Sequence, residues 1–306
     1  MLSEIKAMPE KAKLFLAHTK PYNLPLGVPY IGMGSSYFAP LAFKYMGIKI
    51  YPEIAAEFYN YLHAGEKLKD GVLISQSGRS TEVLWCAELF EHFTAISNDT
   101  NSTLCKLSQV ERVIPLLAGD EHFSSSKTYI NTLLALFTGF NIDISKAVDL
   151  MAKNEAVYEA KGMAIAEEIY NILQSGNLNG IYITGSGPNI ATALQAALIM
   201  SESTKLNFHG LPMAQYDHGP KETAKNSIVI NILAKGKSYE RGIKLNSTIK
   251  AAGAHVFTVE EPAATEAQSV LNNIVPFNYM AYYLSQKLQI KDMFVVGGKV
   301  TEVSLL

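Results

Sequence analysis

Serine, threonine and glutamine side chains are concentrated in the stretch Ser75-Gln76-Ser77-Gly78-Arg79-Ser80-Thr81. The apolar run Val72-Leu73-Ile74 precedes it, and a periodic apolar segment follows it. This order predicts a buried parallel strand, a tight turn and the start of a helix. Hydroxyl groups beside exposed N–H groups at a helix start suit an anion such as phosphate. The alternative is an ordinary helix with Ser80 as its N-cap. A cap explains one hydroxyl group, whereas the stretch contains four, on three serines and one threonine.

A carboxylate in the second half of the sequence could move protons. Glu202 lies late in the apolar segment Ala197-Leu198-Ile199-Met200 and its continuation, which predicts a helix. Removal from water raises the pKa of a carboxyl group toward the range of a general base. The alternative is a glutamate on the solvated side of that helix.

A histidine and a lysine are the other candidates for chemistry. His218 lies in Tyr216-Asp217-His218-Gly219-Pro220, which predicts a loop in which Asp217 could orient the imidazole. Lys299 follows two glycines, which allow a backbone to approach a ligand closely. The alternatives are a surface histidine and a solvated tail lysine.

The segments around these residues alternate between strand and helix patterns. Strands are predicted at 28–31, 48–54, 72–76, 93–97, 113–117, 180–183, 227–233, 254–259 and 273–277. Helices between them predict an α/β fold with doubly wound, mostly parallel sheets. The segments 30–34 and 182–186, each a strand entering a glycine turn, indicate an internal duplication. We therefore expect two domains, 1–148 and 149–306.

The composition excludes several classes of protein. Lys and Arg number 26 against 28 Asp and Glu, so we expect no nucleic acid partner and no anionic membrane surface. Two cysteines make no disulfide framework, no stretch is long and apolar enough to span a membrane, and the N-terminus lacks a signal peptide's apolar core. A cytoplasmic protein is expected. The seven histidines show no metal-ligand spacing, and Tyr37 interrupts the dinucleotide pattern GxGxxG, so no metal or cofactor is expected.

The chain as a whole resembles the double SIS-domain (sugar isomerase) family. It is most similar to the isomerase half of glucosamine-6-phosphate synthase and to stand-alone archaeal-type glucosamine-6-phosphate deaminases. The motifs that carry the resemblance are Ser75-Gln76-Ser77-Gly78, Gly34-Ser35-Ser36-Tyr37, Ala55-Ala56-Glu57-Phe58, Ser125-Ser126-Lys127, His218-Gly219-Pro220, and Asp292 followed by Lys299.

The resemblance implies two tandem SIS domains and roles for ten residues. The phosphate and sugar would be bound by Ser35, Ser36, Ser75, Gln76, Ser77, Ser80 and Ser125. Glu202 would transfer the proton between C2 and C1, His218 would open the sugar ring, and Lys299 would form a Schiff base or stabilise the enolate. The family also implies a homodimer with shared active sites, because its HGP histidine reaches the neighbouring subunit.

The implied activity is that of an amino-sugar-phosphate deaminase and isomerase, converting glucosamine 6-phosphate to fructose 6-phosphate and ammonia. The chain departs from the family at Ile199, where the synthases have a lysine, and at Arg79, where they have a glutamate. Met1 is followed almost directly by the first SIS helix, so no glutaminase domain is expected. The alternatives are another aldose–ketose isomerase, a fructosamine-phosphate deglycase, and a sugar-phosphate sensor without catalysis.

Overall fold

The computed structural model describes residues 1–63 and 65–299, which form two compact units. The SQSG unit comprises Glu10–Ile144 and the tail from Phe294. The Glu202 unit comprises Met1–Pro9 and Ser145–Met293. The chain therefore passes from one unit to the other close to the predicted division between 1–148 and 149–306. The two ends of the chain differ from the prediction. Met1–Pro9 belongs to the Glu202 unit, and the tail from Phe294 belongs to the SQSG unit.

The SQSG unit is built around a five-stranded sheet with the order β2-β1-β3-β4-β5. All neighbouring strands are parallel. Its strands are β1 (Pro29–Gly32), β2 (Tyr51–Ile54), β3 (Leu68–Ile74), β4 (Phe90–Ser97) and β5 (Val110–Pro115). Its helices are α2 (Met8–His18), α3 (Ser35–Tyr45), α4 (Ala55–Glu57), α5 (Thr81–Ala87) and α6 (Lys127–Gly139).

The strand order reverses direction between β1 and β3. In an open parallel sheet, ligands bind in the crevice at the carboxyl ends of the strands beside such a reversal. Ser35 and Ser36 begin the helix after β1, and Ser75 follows β3. The fold therefore places two of the predicted serine-rich turns on either side of that crevice.

The Glu202 unit repeats this plan with a parallel four-stranded sheet of order β7-β6-β8-β9. Its strands are β6 (Gly180–Gly185), β7 (Phe208–Pro212), β8 (Ser227–Ile232) and β9 (His255–Val259). Its helices are α1 (Leu2–Lys6), α7 (Ser145–Lys153), α8 (Glu155–Gln174), α9 (Asn189–Thr204), α10 (Met213–His218), α11 (Tyr239–Ala251), α12 (Ser269–Asn273) and α13 (Val275–Lys287). The predicted α/β fold with tandem doubly wound sheets is confirmed.

One predicted strand is wrong. Residues 273–277 lie in the helices α12 and α13, with Pro276 in the first turn of α13. Proline fits the first helical turn, where its missing N–H removes no hydrogen bond, but it does not fit a central strand. The apolar residues around Pro276 suggested a buried strand, whereas the proline favours a helix start.

Aromatic and small side chains form the cores. In the SQSG unit, the rings of Phe43 on α3 and Phe137 on α6 meet edge to face, 4.7 Å apart. In the Glu202 unit, Gly162 on α8 lets α13 approach so closely that a Cβ there would lie 2.7 Å from Cβ of Tyr279. Tyr279 is fully buried and donates a hydrogen bond to Glu155. Within the described residues, every helix is too short or too polar to cross a membrane.

Candidate functional site

The turn after β3 gathers three serine hydroxyls. Ser75 Oγ lies 3.1 Å from Ser80 Oγ and accepts a hydrogen bond from the backbone N–H of Gly78. Ser77 Oγ accepts a hydrogen bond of 3.2 Å from the N–H of Arg79. The hydroxyls of residues 75 and 77 are therefore fixed by the backbone of the turn itself.

Glycine is required within this turn. Gly78 has a φ of +61°, a conformation that side chains rarely adopt, and a Cβ at this position would lie 1.9 Å from Ser102 Oγ and 2.4 Å from Ser102 Cβ. Ser102 is buried, and its hydroxyl has no hydrogen-bond partner among the described residues. The turn and Ser102 therefore pack against each other with no space for a side chain.

Ser80 occupies the N-cap position of α5, but its side chain makes no capping hydrogen bond. Its hydroxyl lies beside that of Ser75 instead. The plain-cap alternative for Ser80 is therefore not what the structure contains. Because α5 has only seven residues, the anion-binding hypothesis depends on the side chains and amides of the turn rather than on the helix dipole.

A cavity of about 480 Å³ opens next to the turn. Its lining comprises Gln76, Ser77, Arg79, Asn98, Asp99, Asp120, Glu121, His122 and Lys299. We call it the SQSG cavity. Three predicted site residues, at positions 76, 77 and 299, thus share one cavity within one unit. The predicted residues Ser35, Ser36, Ser75, Ser80 and Ser125 do not line it.

Lys299 is held by Glu121. Its ammonium group lies 2.6 Å from the backbone carbonyl oxygen and 3.4 Å from Oε2 of that residue. The side chain of Glu121 is fully buried, whereas about a quarter of the Lys299 side chain is exposed, with a relative accessibility of 23%. The tail lysine is therefore anchored at the cavity wall rather than solvated freely.

Glu121 also caps α6, a role that the sequence did not suggest. Its Oε1 accepts hydrogen bonds of 3.0 Å from both the N–H and the hydroxyl of Ser126 and one of 3.2 Å from the N–H of Thr128. Ser126 occupies the N-cap position of α6 but makes no capping bond of its own. A carboxylate several residues upstream does so because the loop folds back, which no local spacing encodes.

Glu202 lies near the end of α9 and is half-buried. Its neighbours Ser203 and Thr204 are buried, and Lys205 donates a hydrogen bond of 2.8 Å to its backbone carbonyl. The position is intermediate between the two alternatives, a desolvated carboxylate and a solvated one. Its role as a proton carrier stays a prediction.

The local prediction around His218 is wrong in two respects. Tyr216, Asp217 and His218 end the short helix α10, and after Gly219 a 3-10 helix, Pro220–Thr223, follows in place of the predicted loop. Asp217 does not orient the imidazole, because its carboxylate binds Lys221 at 3.0 Å and Arg241 at 2.7 Å. These two cations lower the pKa of Asp217, with the hydrogen bond from Arg241 as the largest cause. The side chain of His218 is exposed.

The corresponding turn of the second sheet packs against a carboxylate. This turn follows β8, and a Cβ on its Gly236 would lie 2.1 Å from the carboxyl carbon of Glu266. The adjoining cavity measures only about 10 Å³ and is lined in part by Ser186, Ser238 and Glu266. Unlike the SQSG cavity, whose lining includes Arg79 and Lys299, this cavity has no lysine or arginine among the described residues of its lining to offset the carboxylate, which disfavours a bound anion. The SQSG unit is therefore the better candidate for binding phosphate.

A metal site is not apparent in the ranges 1–63 and 65–299. No group of three or more His, Cys, Asp or Glu side chains is arranged to hold an ion there. Two acidic residues of the SQSG cavity, Asp99 and Glu121, bind groups of the protein itself. Asp99 accepts a hydrogen bond from the N–H of Asn101, and Glu121 holds Lys299 and the start of α6.

No family model matches the chain. The glutamine–fructose-6-phosphate aminotransferase (isomerizing) of Pyrococcus horikoshii is 24% identical over 315 residues, covering 92% of this chain and 51% of the relative. The protein of the same name from Methanothermobacter thermautotrophicus is 25% identical over 286 residues, covering 84% and 48%. The chain spans about half the length of the curated relatives it matches.

Solved structures share the fold. A glucosamine-6-phosphate deaminase from Thermotoga maritima superimposes with a TM-score of 0.76 and 17% identity, covering 94% of each chain. The tagatose-6-phosphate ketose/aldose isomerase of Escherichia coli gives a TM-score of 0.70 and 15% identity, covering 95% of this chain and 93% of that one. These likenesses confirm the resemblance to double SIS-domain proteins and the tandem fold.

Proposed function

We propose that this chain acts on a sugar phosphate as an isomerase, and that its reaction converts glucosamine 6-phosphate and water to fructose 6-phosphate and ammonia. The observation that carries the proposal is that Lys299 lines one cavity together with Gln76, Ser77 and Arg79 of the serine-rich turn. The turn offers donors for a phosphate, and the lysine offers a cation or an amine for the carbonyl end of a sugar. The names of the relatives and of the solved structures support the substrate class.

The phosphate would bind the hydroxyls of Ser75, Ser77 and Ser80 and the amide of Gln76. Arg79 would add a charge-assisted hydrogen bond, since its exposed guanidinium has no ion-pair partner among the described residues. Such a cation offsets the two exposed carboxylates, Asp99 and Asp120, that line the same cavity. The predicted roles of Ser35, Ser36 and Ser125 are to bind the phosphate and the hydroxyl groups of the sugar.

Lys299 would enter the reaction as a cation. Its ammonium group lies 3.4 Å from the buried carboxylate of Glu121, so the two opposite charges attract each other. As a cation, Lys299 stabilises negative charge on the enolate oxygen or on the sugar oxygen next to C2. A Schiff base requires the neutral amine, so imine formation would require Lys299 to leave Glu121 and lose its proton first.

Glu202 and His218 would supply the proton transfers. His218 would protonate the ring oxygen while the pyranose opens. Glu202 would then remove the C2 proton, leaving an enolamine, and return a proton to C1, which produces the C2 imine of fructose 6-phosphate. Water would add to that imine, and ammonia would leave, so that the substrate carbons undergo no net oxidation or reduction.

The protein is proposed to work as a homodimer in which His218 serves the neighbouring subunit. Support for this comes from the resemblance and from the exposure of His218, whose side chain is available to a partner. The proposal also covers a cytoplasmic location.

The decisive experiment measures ammonia release and fructose 6-phosphate formation from glucosamine 6-phosphate. Glucose 6-phosphate, tagatose 6-phosphate and fructosamine 6-phosphate are assayed in parallel, with glutamine plus fructose 6-phosphate as a further reaction. Ammonia and fructose 6-phosphate in equal amounts support the deaminase. Turnover of another sugar phosphate alone would replace it by the isomerase or deglycase alternative. Binding of sugar phosphates without any turnover would indicate a sensor.

A further inference from the structure

A second cavity lies along the outer strand of the SQSG unit. It measures about 580 Å³, within the range of small-molecule sites. One wall is residues 112–115 of β5, the last strand of the sheet, together with Leu117, and the other wall is the segment 18–23. We call it the β5 cavity. It shares no lining residue with the SQSG cavity.

The β5 cavity has a basic lining. His18, Lys20 and Arg112 contribute to its lining, and no aspartate or glutamate does. Arg112 donates one hydrogen bond of 3.2 Å to the backbone carbonyl of Asn23 and makes no ion pair with a described residue. Lys20 likewise makes no ion pair or hydrogen bond through its side chain within the described chain. Within residues 1–63 and 65–299, therefore, no ion pair offsets the positive charge of these two side chains.

The remaining lining combines an apolar wall with a single unused hydroxyl. Pro21, Ile114, Pro115 and Leu117 contribute apolar surface. Thr19 Oγ1 is buried and has no hydrogen-bond partner among the described residues, although buried polar atoms almost always have one.

Tyr22 is the aromatic residue of the lining. Its hydroxyl group donates a hydrogen bond of 2.7 Å to the backbone carbonyl of Ala135. Burial raises the pKa of Tyr22, and the positive charge of Arg112 offsets only part of this increase. Tyr22 therefore stays neutral and contributes no negative charge to the cavity.

We propose that the β5 cavity binds a small anionic molecule whose carboxylate or phosphate group is attached to an apolar ring. The acidic group pairs with Arg112 and Lys20, because neither cation makes an ion pair with a described residue. The ring packs on the apolar wall, and a polar substituent can accept or donate a hydrogen bond at Thr19. This inference concerns a site separate from the one proposed for sugar phosphates and does not depend on it.

Phenyl phosphate and phenylacetate are suitable probes, since each joins a ring to one of the two acidic groups. Phenol carries the ring alone, and inorganic phosphate carries the charge alone. Isothermal titration of the full chain should show binding of at least one ring anion. Phenol and inorganic phosphate should bind at least about 10-fold more weakly, since each lacks one half of the interaction. Comparison of the two ring anions identifies which acidic group the cavity prefers.

Variants locate the binding. The double variant Lys20→Gln/Arg112→Gln should weaken binding of the ring anion by about 10-fold or more. Lys13→Gln/Lys106→Gln removes the same charge from two exposed lysines elsewhere in the unit and should bind as the wild type does. Ser77→Ala/Ser80→Ala should also leave this binding unchanged.

The inference is overturned if neither ring anion binds. It is also overturned if Lys20→Gln/Arg112→Gln and Lys13→Gln/Lys106→Gln weaken the binding equally, or if Ser77→Ala/Ser80→Ala abolishes the binding. The last outcome would place the probe in the SQSG cavity. Circular dichroism checks the fold of each variant. Lys20→Gln alone replaces an exposed side chain and preserves the test if the double variant does not fold.

Discussion

The ammonium group of Lys299 lies 2.6 Å from the backbone carbonyl oxygen of Glu121 and 3.4 Å from its buried carboxylate. The same carboxylate binds the first N–H groups of α6. One side chain thus stabilises a helix start and holds the lysine that is proposed to act on the sugar. A substitution of Lys299 can separate these two roles.

Lys299→Met removes the cation and leaves the capping bonds of Glu121 in place. We expect at least about a 100-fold loss of kcat, the effect of losing a charge-stabilising donor. The free energy of unfolding should fall by only about 1–3 kcal/mol, because the buried carboxylate retains its other donors. Lys291→Met, at an exposed lysine, is the control and should retain activity. Full activity of Lys299→Met would remove the lysine from the mechanism.

Ser77→Ala and Ser80→Ala should each weaken sugar-phosphate binding. A hydrogen bond to a charged group contributes about 1.5–3 kcal/mol, or roughly 10- to 150-fold in Kd. Because Ser80 makes no capping bond, Ser80→Ala should cost less stability than the usual N-cap substitution, which is about 1 kcal/mol. Calorimetry and urea unfolding measure the two quantities. Unchanged affinity in both variants would refute the phosphate assignment.

Asp217→Asn tests the correction around His218. The hydrogen bonds from Arg241 and Lys221 lower the pKa of Asp217 below its ordinary value of 3.8. A lowered pKa means that the ion pairs stabilise the fold above pH 3.8 and that this contribution is lost as pH falls through the native pKa.

The pairs are solvent-accessible, so the variant should lose less than about 1 kcal/mol at pH 7, and this difference should vanish in strong acid. Activity should stay within a few-fold of the wild type. A large loss of kcat at unchanged stability would instead indicate that the aspartate acts on His218 during catalysis.

Glu202→Gln keeps the size of the side chain but cannot accept a proton. It should bind sugar phosphate with nearly unchanged affinity and lose at least about 10²- to 10⁴-fold in turnover, the contribution of a general base. It should also stop exchange of the C2 hydrogen with deuterated water, which nuclear magnetic resonance detects. Turnover within a few-fold of wild type would mean that Glu202 is a solvated helix residue.

A mixing experiment tests shared active sites. Inactive Glu202→Gln chains are denatured and refolded together with inactive His218→Ala chains. If His218 serves the neighbouring subunit, each mixed dimer contains one intact site. Mixed dimers make up about half of the population, so activity returns toward about a quarter of the wild-type value. Subunit mixing is verified with two affinity tags. Proven mixed dimers without activity would contradict the shared site.

Much of the fold could be predicted because parallel strands leave a strong local signal. The apolar run at 72–74 identified β3, which was predicted at 72–76 and lies at Leu68–Ile74, so that it begins and ends earlier than expected. Its first residues, including Lys69 and Asp70, are more polar, so the run alone missed them. The prediction around Pro276 was wrong because a short, continuous apolar run has the same sequence pattern in a fully buried strand and in a fully buried helix.

The candidate site was predictable only in part. The hydroxyl cluster at 75–80 is local, and its sequence shows it directly. Glu121 was missed because its function depends on a loop that folds back on α6. The pairing of Lys299 with Glu121 joins residues 178 positions apart, a relation that no local pattern contains. For Lys299, family resemblance provided a hypothesis where periodicity and spacing provided none.

The route of the chain also has a consequence for biosynthesis. The wall of the SQSG cavity needs Lys299, but the rest of that wall lies between residues 76 and 122. All of Ser145–Met293, which belongs to the other unit, is translated between these two parts. A nascent SQSG unit therefore leaves the ribosome with the buried carboxylate of Glu121 lacking its cation. The cavity is completed only after the Glu202 unit has been made, so a ribosome that stalls within that unit releases no chain with a finished site.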